Sequence, residues 1–159
     1  MYNRKQNANE RLNKMKNDHI SENHRLNYLC SEIDSLYHQS SLKLGISDSV
    51  SIVLYTIYDL GNECLLSDIY KNSGISKQTI NSAVRCLEKD NIICLKQHDR
   101  RSKKVILSEK GKQFVNTTAA RLYRAELDAL KDWSDEEIRT YIKLTEKYLE
   151  CFKQQIEIL

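Results

Sequence analysis

The chain of 159 residues carries 25 Lys and Arg against 22 Asp and Glu, a net charge of +3, and 40% of its residues are hydrophobic. That length predicts a single domain, and the 30% charged content excludes wholesale disorder and a fibrous class. Proline is absent and glycine occurs only four times, which predicts long helices, because proline breaks a helix and glycine weakens it.

Residues 1–20 are polar with little periodicity and predict a flexible N-terminal arm, frayed or a loose extension of the first helix. They lack the apolar run of a secretory signal. No stretch of the chain approaches the ~18 apolar residues of a membrane span, so the expectation is a cytoplasmic protein with no membrane partner. From residue 21 to 45, Leu26, Leu29, Ile33, Leu36, Tyr37 and Leu44 recur on one face of a first helix, which Gly45 ends. Ser47 caps a second helix with the stripe Val50, Val53, Leu54 and Ile57, closed by Gly61. After a short link through Glu63 comes a third helix over residues 66–72, stopped by Asn72-Ser73-Gly74.

Ser76 is the N-cap of the fourth helix, and Ile75 is placed to pack on Ile80 as a hydrophobic staple. Ile80, Ala83, Val84 and Leu87 form its inner face. Gln78, Ser82, Arg85 and Lys89 fall on the outer side with Asn81 at the edge, so this face is rich in hydrogen-bonding groups. The periodicity then changes to two β-branched segments, residues 92–96 and 104–108, joined by Gln97-His98-Asp99-Arg100-Arg101-Ser102-Lys103: a hairpin with a basic tip. Ser108 opens a fifth helix expected to run unbroken through Phe114, Val115, Thr118, Leu122 and Leu130. The sixth begins at Ser134, with Glu137 completing a capping box and Trp133 and Ile138 a second staple. Its stripe reaches Ile156, too long for one small domain to cover.

Charge is distributed unevenly along these elements. Residues 77–113 hold ten basic and four acidic side chains, while residues 28–76 hold two and six. A basic segment between acidic ones points to a polyanionic partner, since each Lys or Arg placed on a phosphate releases condensed counterions. Five cysteines, an odd number without C-x-x-C spacing, predict reduced and mostly buried thiols. No nucleophile motif, phosphate-binding glycine loop or metalloprotease motif is present, so neither catalysis nor a cofactor or metal is expected.

The third and fourth helices followed at once by a basic hairpin describe a winged helix-turn-helix. The run Leu87-Glu88-Lys89-Asp90-Asn91-Ile92-Ile93 leading into Asp99-Arg100-Arg101-Ser102-Lys103-Lys104-Val105-Ile106-Leu107-Ser108-Glu109-Lys110-Gly111 resembles the MarR family of transcriptional regulators, with Ser108 in place of the usual Thr. The fold class expected is mainly α with a small β-hairpin wing. A winged-helix lobe at 46–108 is flanked by dimerisation helices at 21–45 and 109–159, the whole forming one domain at 21–159. The resemblance implies a homodimer that represses genes from a palindromic operator and releases double-stranded DNA when a small ligand binds.

A helix fits the major groove, where Asn and Gln pair with adenine and Arg with guanine. Gln78, Asn81 and Arg85 are therefore the expected base readers, and Ser76, Lys77, Thr79 and Ser82 the phosphate or mixed contacts. Arg100, Arg101, Lys103 and Lys104 supply the wing, with Asp99 orienting it through the arginine or the turn backbone. Nine tyrosines, among them Tyr28, Tyr37, Tyr55 and Tyr58 on the first two helices, suggest a crevice for an aromatic or lipophilic anion. Arg121 or Arg124 would pair with its carboxylate. Alternatives on the same fold are a redox sensor using Cys30, a zinc sensor using Cys30, Asp34 and His38, and a protein-binding adaptor. The adaptor should lack the wing arginine and the polar face of the fourth helix.

Overall fold

The computed structural model describes residues 2–159, with side chains from residue 19 onward. The first helix, α1, spans Tyr2–Leu44. The polar stretch at 1–20, expected as an arm or a loose extension of the first helix, is helical from Tyr2 and continuous with the helix expected to start at residue 21. No proline or glycine precedes Gly45, so nothing local interrupts the backbone ladder. At Gly45 the chain turns with φ +70°, and the amides of Gly45 and Ile46 bond back to the carbonyls of Leu42 and Ser41.

Next come α2 (Asp48–Asp59), β1 (Glu63–Leu65), α3 (Leu66–Asn72), α4 (Lys77–Lys89), β2 (Ile93–Gln97) and β3 (Lys103–Leu107). The chain finishes with α5 (Glu109–Thr117), α6 (Ala119–Leu130) and α7 (Asp135–Ile156). Serine oxygens cap the elements at the expected places: Ser47 accepts from Val50 N, Ser76 from Thr79 N, Ser108 from Gly111 N and Ser134 from Glu137 N. No helix among the described residues is long and apolar enough to cross a membrane.

Two elements depart from the expected layout. The wing is the outer part of a three-stranded antiparallel sheet in the order β1-β3-β2, with Cys64 opposite Val105 and Leu95 opposite Val105 from the other side. The link at Glu63 is therefore a strand, too short for its own periodicity to announce it. The expected fifth helix is broken at Thr118, whose φ −124° and ψ −99° are not helical. Thr118 is buried and its hydroxyl donates to the Phe114 carbonyl. Arg124 reaches back from α6, donating to the carbonyls of Ala120 and Asn116, so its guanidinium bridges the break.

The core is centred on the winged-helix lobe. Val53, Leu54 and Ile57 of α2 pack with Ile69 of α3, with Ile80, Ala83, Val84 and Leu87 of α4, and with Ile93, Val105 and Leu107 of the sheet. Val115, Ala119 and Ala120 join it from α5 and α6. By contrast α7 buries none of its residues, and on α1 Leu26, Leu29, Ile33 and Leu36 remain exposed. Trp133 stands edge-on to Tyr141 at 5.6 Å, beyond the Ile138 partner expected from spacing. Cys64 is buried, but Cys30, Cys86 and Cys151 are exposed, contrary to the expectation of buried thiols. Cys86 falls on the solvent side of α4, and Cys30 and Cys151 lie on exposed stretches of α1 and α7.

Gly111 is where α5 meets the sheet. A Cβ there would sit 2.0 Å from the Ile92 carbonyl oxygen, a backbone atom with no rotamer to escape into. Gly111→Ala is expected to lower the unfolding free energy by ~3 kcal/mol, the upper range of overpacking, measured by urea denaturation. A loss below ~1 kcal/mol would mean that α5 shifts freely on the sheet.

Candidate nucleic-acid interface and ligand crevice

The outer face of α4 is polar because its apolar residues recur at 80, 83, 84 and 87 and all are buried, which turns the remaining positions outward. Lys77, Gln78, Thr79, Ser82 and Arg85 are exposed. Several of these groups already have partners. Ser76 and Thr79 share a 2.8 Å hydroxyl contact within the cap, which leaves one of the two O–H groups free to donate outward, and Ser82 donates to the Gln78 carbonyl, leaving its oxygen free as an acceptor. Arg85 forms no ion pair among the described residues.

Asn81 is half-buried and receives a 2.7 Å hydrogen bond from the Tyr70 hydroxyl on its Oδ1. That bond orients the amide, directing its NH₂ donors away from α3. The same phenol ring lies 5.6 Å from the Lys77 ammonium. Tyr70 thus organises two expected DNA contacts at once, a role that eleven residues of separation in sequence did not reveal.

In the wing tip, one Asp99 oxygen accepts from the backbone amides of Arg101 at 2.7 Å and Ser102 at 2.9 Å. The Ser102 side chain and these two amides hold the Asp99 carboxyl below the usual carboxylate range. Of the two roles expected for Asp99, the geometry has the turn backbone and not the arginine side chain. Gln97 braces the same turn, its amide donating to the carbonyls of Asp99 and Ser102. Arg100, Arg101 and Lys103 are exposed and form no ion pair among the described residues. Lys104 differs. It pairs with Glu63 across the β1–β3 register, so it is a brace of the sheet and not a free cation.

A second concavity, 440 Å³ in volume, lies where α1, α2 and α6 meet. Tyr37 and Tyr55 both reach it, but their hydroxyls converge on Glu126 of α6: Tyr37 donates to one carboxylate oxygen at 2.7 Å and Tyr55 to the other. The hydrogen bond to Glu126, then burial, push the Tyr37 phenol up to about 12, and burial followed by the same carboxylate raises Tyr55 further. Across the cavity His38 Nδ1 and Asp48 lie 2.8 Å apart, linking α1 to the first turn of α2, and this contact with help from Ser41 lowers the Asp48 carboxyl.

The other two residues expected here lie elsewhere. Tyr28 is exposed farther up α1 beside Arg25. Arg121 lines a separate shallow depression with Arg124 and Asp128, because Leu122 and Glu126, four apart, are the residues of α6 that face the crevice. Arg124 is committed to the helix break. Neither arginine is available to an anion in the crevice, and Glu126, the residue that dominates it, was missed because its partners are 89 and 71 positions away. Cys30, Asp34 and His38 are not brought together with a further ligand: among the described residues no group of three His, Cys, Asp or Glu side chains is arranged to hold a metal ion. Burial, with Asp68 adding to it, pushes the Cys64 thiol up to about 11, which suppresses its thiolate.

No family model matches the sequence, and no curated protein matches it. Solved structures do. The chain is similar to a MarR family regulator from Neisseria meningitidis, with a TM-score of 0.74 and 17% identity over 84% of this chain and 94% of that one. It is also similar to MepR of S. aureus, solved in complex with DNA, with a TM-score of 0.60 and 19% identity over 81% and 96% of the two chains. A third is BpsR of Bordetella bronchiseptica, whose DNA binding is regulated by 6-hydroxynicotinic acid, with a TM-score of 0.58 and 17% identity over 78% and 98%. The chain therefore has the winged-helix fold of MarR regulators, with α5 and α6 together standing where one fifth helix was expected.

The lowered Asp99 carboxyl has a pH consequence. Its ordered turn is fully favoured above the ordinary carboxylate pKa of ~3.9 and is lost as pH falls through the lower folded value. In an NMR titration the amide protons of Arg101 and Ser102 are expected to move together with a midpoint below ~3.9. A midpoint at or above that value would show that Asp99 does not hold the turn.

Proposed function

We propose that this chain is a sequence-specific, double-stranded-DNA-binding transcriptional regulator, a homodimeric repressor that binds a pseudo-palindromic operator and is released by a small molecule. The observation that carries this reading is the pairing of two exposed elements. On α4, Gln78, Asn81 and Arg85 offer base-reading groups, and beside them the wing carries Arg100, Arg101 and Lys103 with no counter-ion among the described residues. Similarity to a regulator solved with DNA supports it. A protein-binding adaptor has no use for unpaired arginines at a wing tip.

Dimerisation follows from what the chain leaves uncovered. Tyr141, Ile142, Tyr148, Leu149, Phe152 and Ile156 are each about half exposed on α7, and they align with the open face of α1 in offering apolar surface that a second copy would bury. Two copies would present two α4 helices and two wings, which accounts for a two-fold symmetric site. Sedimentation at micromolar concentration should give a dimer, and selection from random duplexes should return inverted half-sites whose centres are ~10 bp or a multiple apart. Binding to the selected site should weaken with salt on a log–log slope of at least ~5 in magnitude. A monomer, or selected sites without two-fold symmetry, would contradict the proposal.

The wing separates charge from geometry. Arginine is weakly hydrated and suits a narrow minor groove, where the negative potential is focused. Arg101→Lys is therefore expected to lose ~1 kcal/mol or more of binding while keeping its charge. Asp99→Ala is expected to weaken binding although it removes a negative charge, since the turn that aims Arg101 loses its anchor. Fluorescence anisotropy on the selected duplex at one salt concentration measures both, and tighter binding by Asp99→Ala would contradict this account of the wing.

A further inference from the structure

The two side-chain amides on the outer face of α4 differ in their freedom to choose a base. Gln78 is exposed, and among the described residues a side chain engages only its backbone carbonyl, so its amide can turn either end outward. Asn81 is half-buried, and its Oδ1 receives the Tyr70 hydroxyl at 2.7 Å. The tyrosine is fixed before any DNA arrives. It stands on α3, which the fully buried Ile69 anchors in the core, and the Lys77 ammonium lies over its ring at 5.6 Å from the centroid.

This hydrogen bond has a preferred direction. A phenol shares its oxygen lone pair with the ring, so it donates well and accepts less well than an amide oxygen. The Lys77 charge over the same ring draws further on that lone pair, which strengthens the donor and weakens the acceptor. The amide of Asn81 is therefore held with its oxygen toward Tyr70 and its nitrogen outward.

That orientation changes what Asn81 can read. Bidentate pairing with adenine needs both ends of the amide on the base edge, the oxygen accepting from N6 and the nitrogen donating to N7. Here the tyrosine hydroxyl already lies 2.7 Å from the oxygen and crowds the approach of an adenine N6. The outward nitrogen carries two hydrogens and no acceptor. A guanine edge offers only acceptors, O6 and N7, and suits both hydrogens, whereas the cytosine N4 amino group would meet a second donor.

We infer that Tyr70 sets the base specificity of Asn81, turning an adenine reader into a donor-only group that selects guanine. The inference rests on the regulator function proposed above and names what one position of that same surface reads. Tyr70 acts through Asn81 and is a positioning residue.

The test compares duplexes selected by the full chain with those selected by Asn81→Ala, which marks the base pair read by Asn81 as the one whose preference disappears. Competition anisotropy at that position should show guanine bound at least ~5-fold more tightly than adenine per half-site, the lower range for one base contact. Tyr70→Phe keeps the ring beneath Lys77 and deletes only the hydroxyl. It should move the guanine-to-adenine ratio at least ~5-fold toward adenine and leave preferences at the other positions unchanged. A tyrosine that only supports the fold would instead lower affinity for every duplex alike. That result, an unchanged ratio, or a preference for adenine in the unsubstituted chain would each overturn the inference and leave the regulator reading standing. A DNA-free measurement checks the hydrogen bond itself: the Asn81 side-chain carbonyl carbon should move upfield in the NMR spectrum of Tyr70→Phe, and an unmoved resonance would also overturn the inference. If that carbon moves but the unsubstituted chain selects no duplex, the regulator reading fails and takes the base assignment with it.

Discussion

The architecture depends on one close approach of backbone to backbone, where α5 lies on the turn between α4 and β2. Gly111 brings its Cα against the Ile92 carbonyl, which also accepts the Ser108 amide at 3.0 Å. The Ser108 hydroxyl donates to the Asn91 carbonyl and accepts from Gly111 N, and Lys110 reaches the Asp90 carbonyl. The end of α4, both long strands and the start of α5 are therefore joined within a few residues by short-range polar bonds. Because Asn91 itself sits at φ +57°, the chain reverses there within a single residue after the helix, and β2 starts in line with the core. The orientation of α4 relative to the wing is set at this junction, and with it the relative placement of every group on the candidate DNA surface.

A second organising contact lies at the other end of the lobe. Tyr37, Tyr55 and Glu126 come from α1, α2 and α6, and the carboxylate joins all three. Hydrogen bonds to a charged acceptor contribute about 1.5–3 kcal/mol each, more than the neutral contacts around them. The apolar core stops short of this region: among the described residues α1 contributes no apolar residue to it, and Ser41 is the one buried position of that helix. Attachment of α1 to the lobe therefore relies on polar links, the phenol–carboxylate pair and His38 with Asp48, and such links respond to local charge in a way that close-packed hydrocarbon does not. The lobe thus carries positive charge on the α4 and wing side and negative charge in the crevice, a separation invisible in a net charge of +3.

Much of the local structure is legible in the chain itself. Serine at 47, 76, 108 and 134 places four helix starts to the residue, because a side-chain oxygen bonding an amide three positions on depends on nothing distant. The stripe Ile80, Ala83, Val84 and Leu87 identifies the buried face of α4, hence its polar face, and β-branched runs around a basic tip identify the wing. Winged-helix order, the basic lobe and the candidate contacts at Gln78, Arg85, Arg100 and Arg101 all rest on such periodicity and composition.

What only the tertiary structure decided are pairings between residues far apart in the chain. Glu63 takes Lys104 from the set of free cations across 41 positions; Tyr70 orients Asn81 from a neighbouring helix; and Glu126 collects two tyrosines that periodicity assigns only to helix faces. The break at Thr118 is of the same kind, since no breaking residue stands there and burial of a threonine with Arg124 bridging the gap makes the bend favourable. Arg121 fails to reach the crevice because α6 begins anew after that bend, which sets Leu122 and Glu126 toward α1 and α2 and turns Arg121 away. Sequence by itself determined which elements form and which faces they bury, because capping and amphipathic periodicity act within one or two helical turns. The structure decided the charge of the crevice and the freedom of each cation, because those depend on which side chains meet after packing, and packing geometry is not written in local spacing.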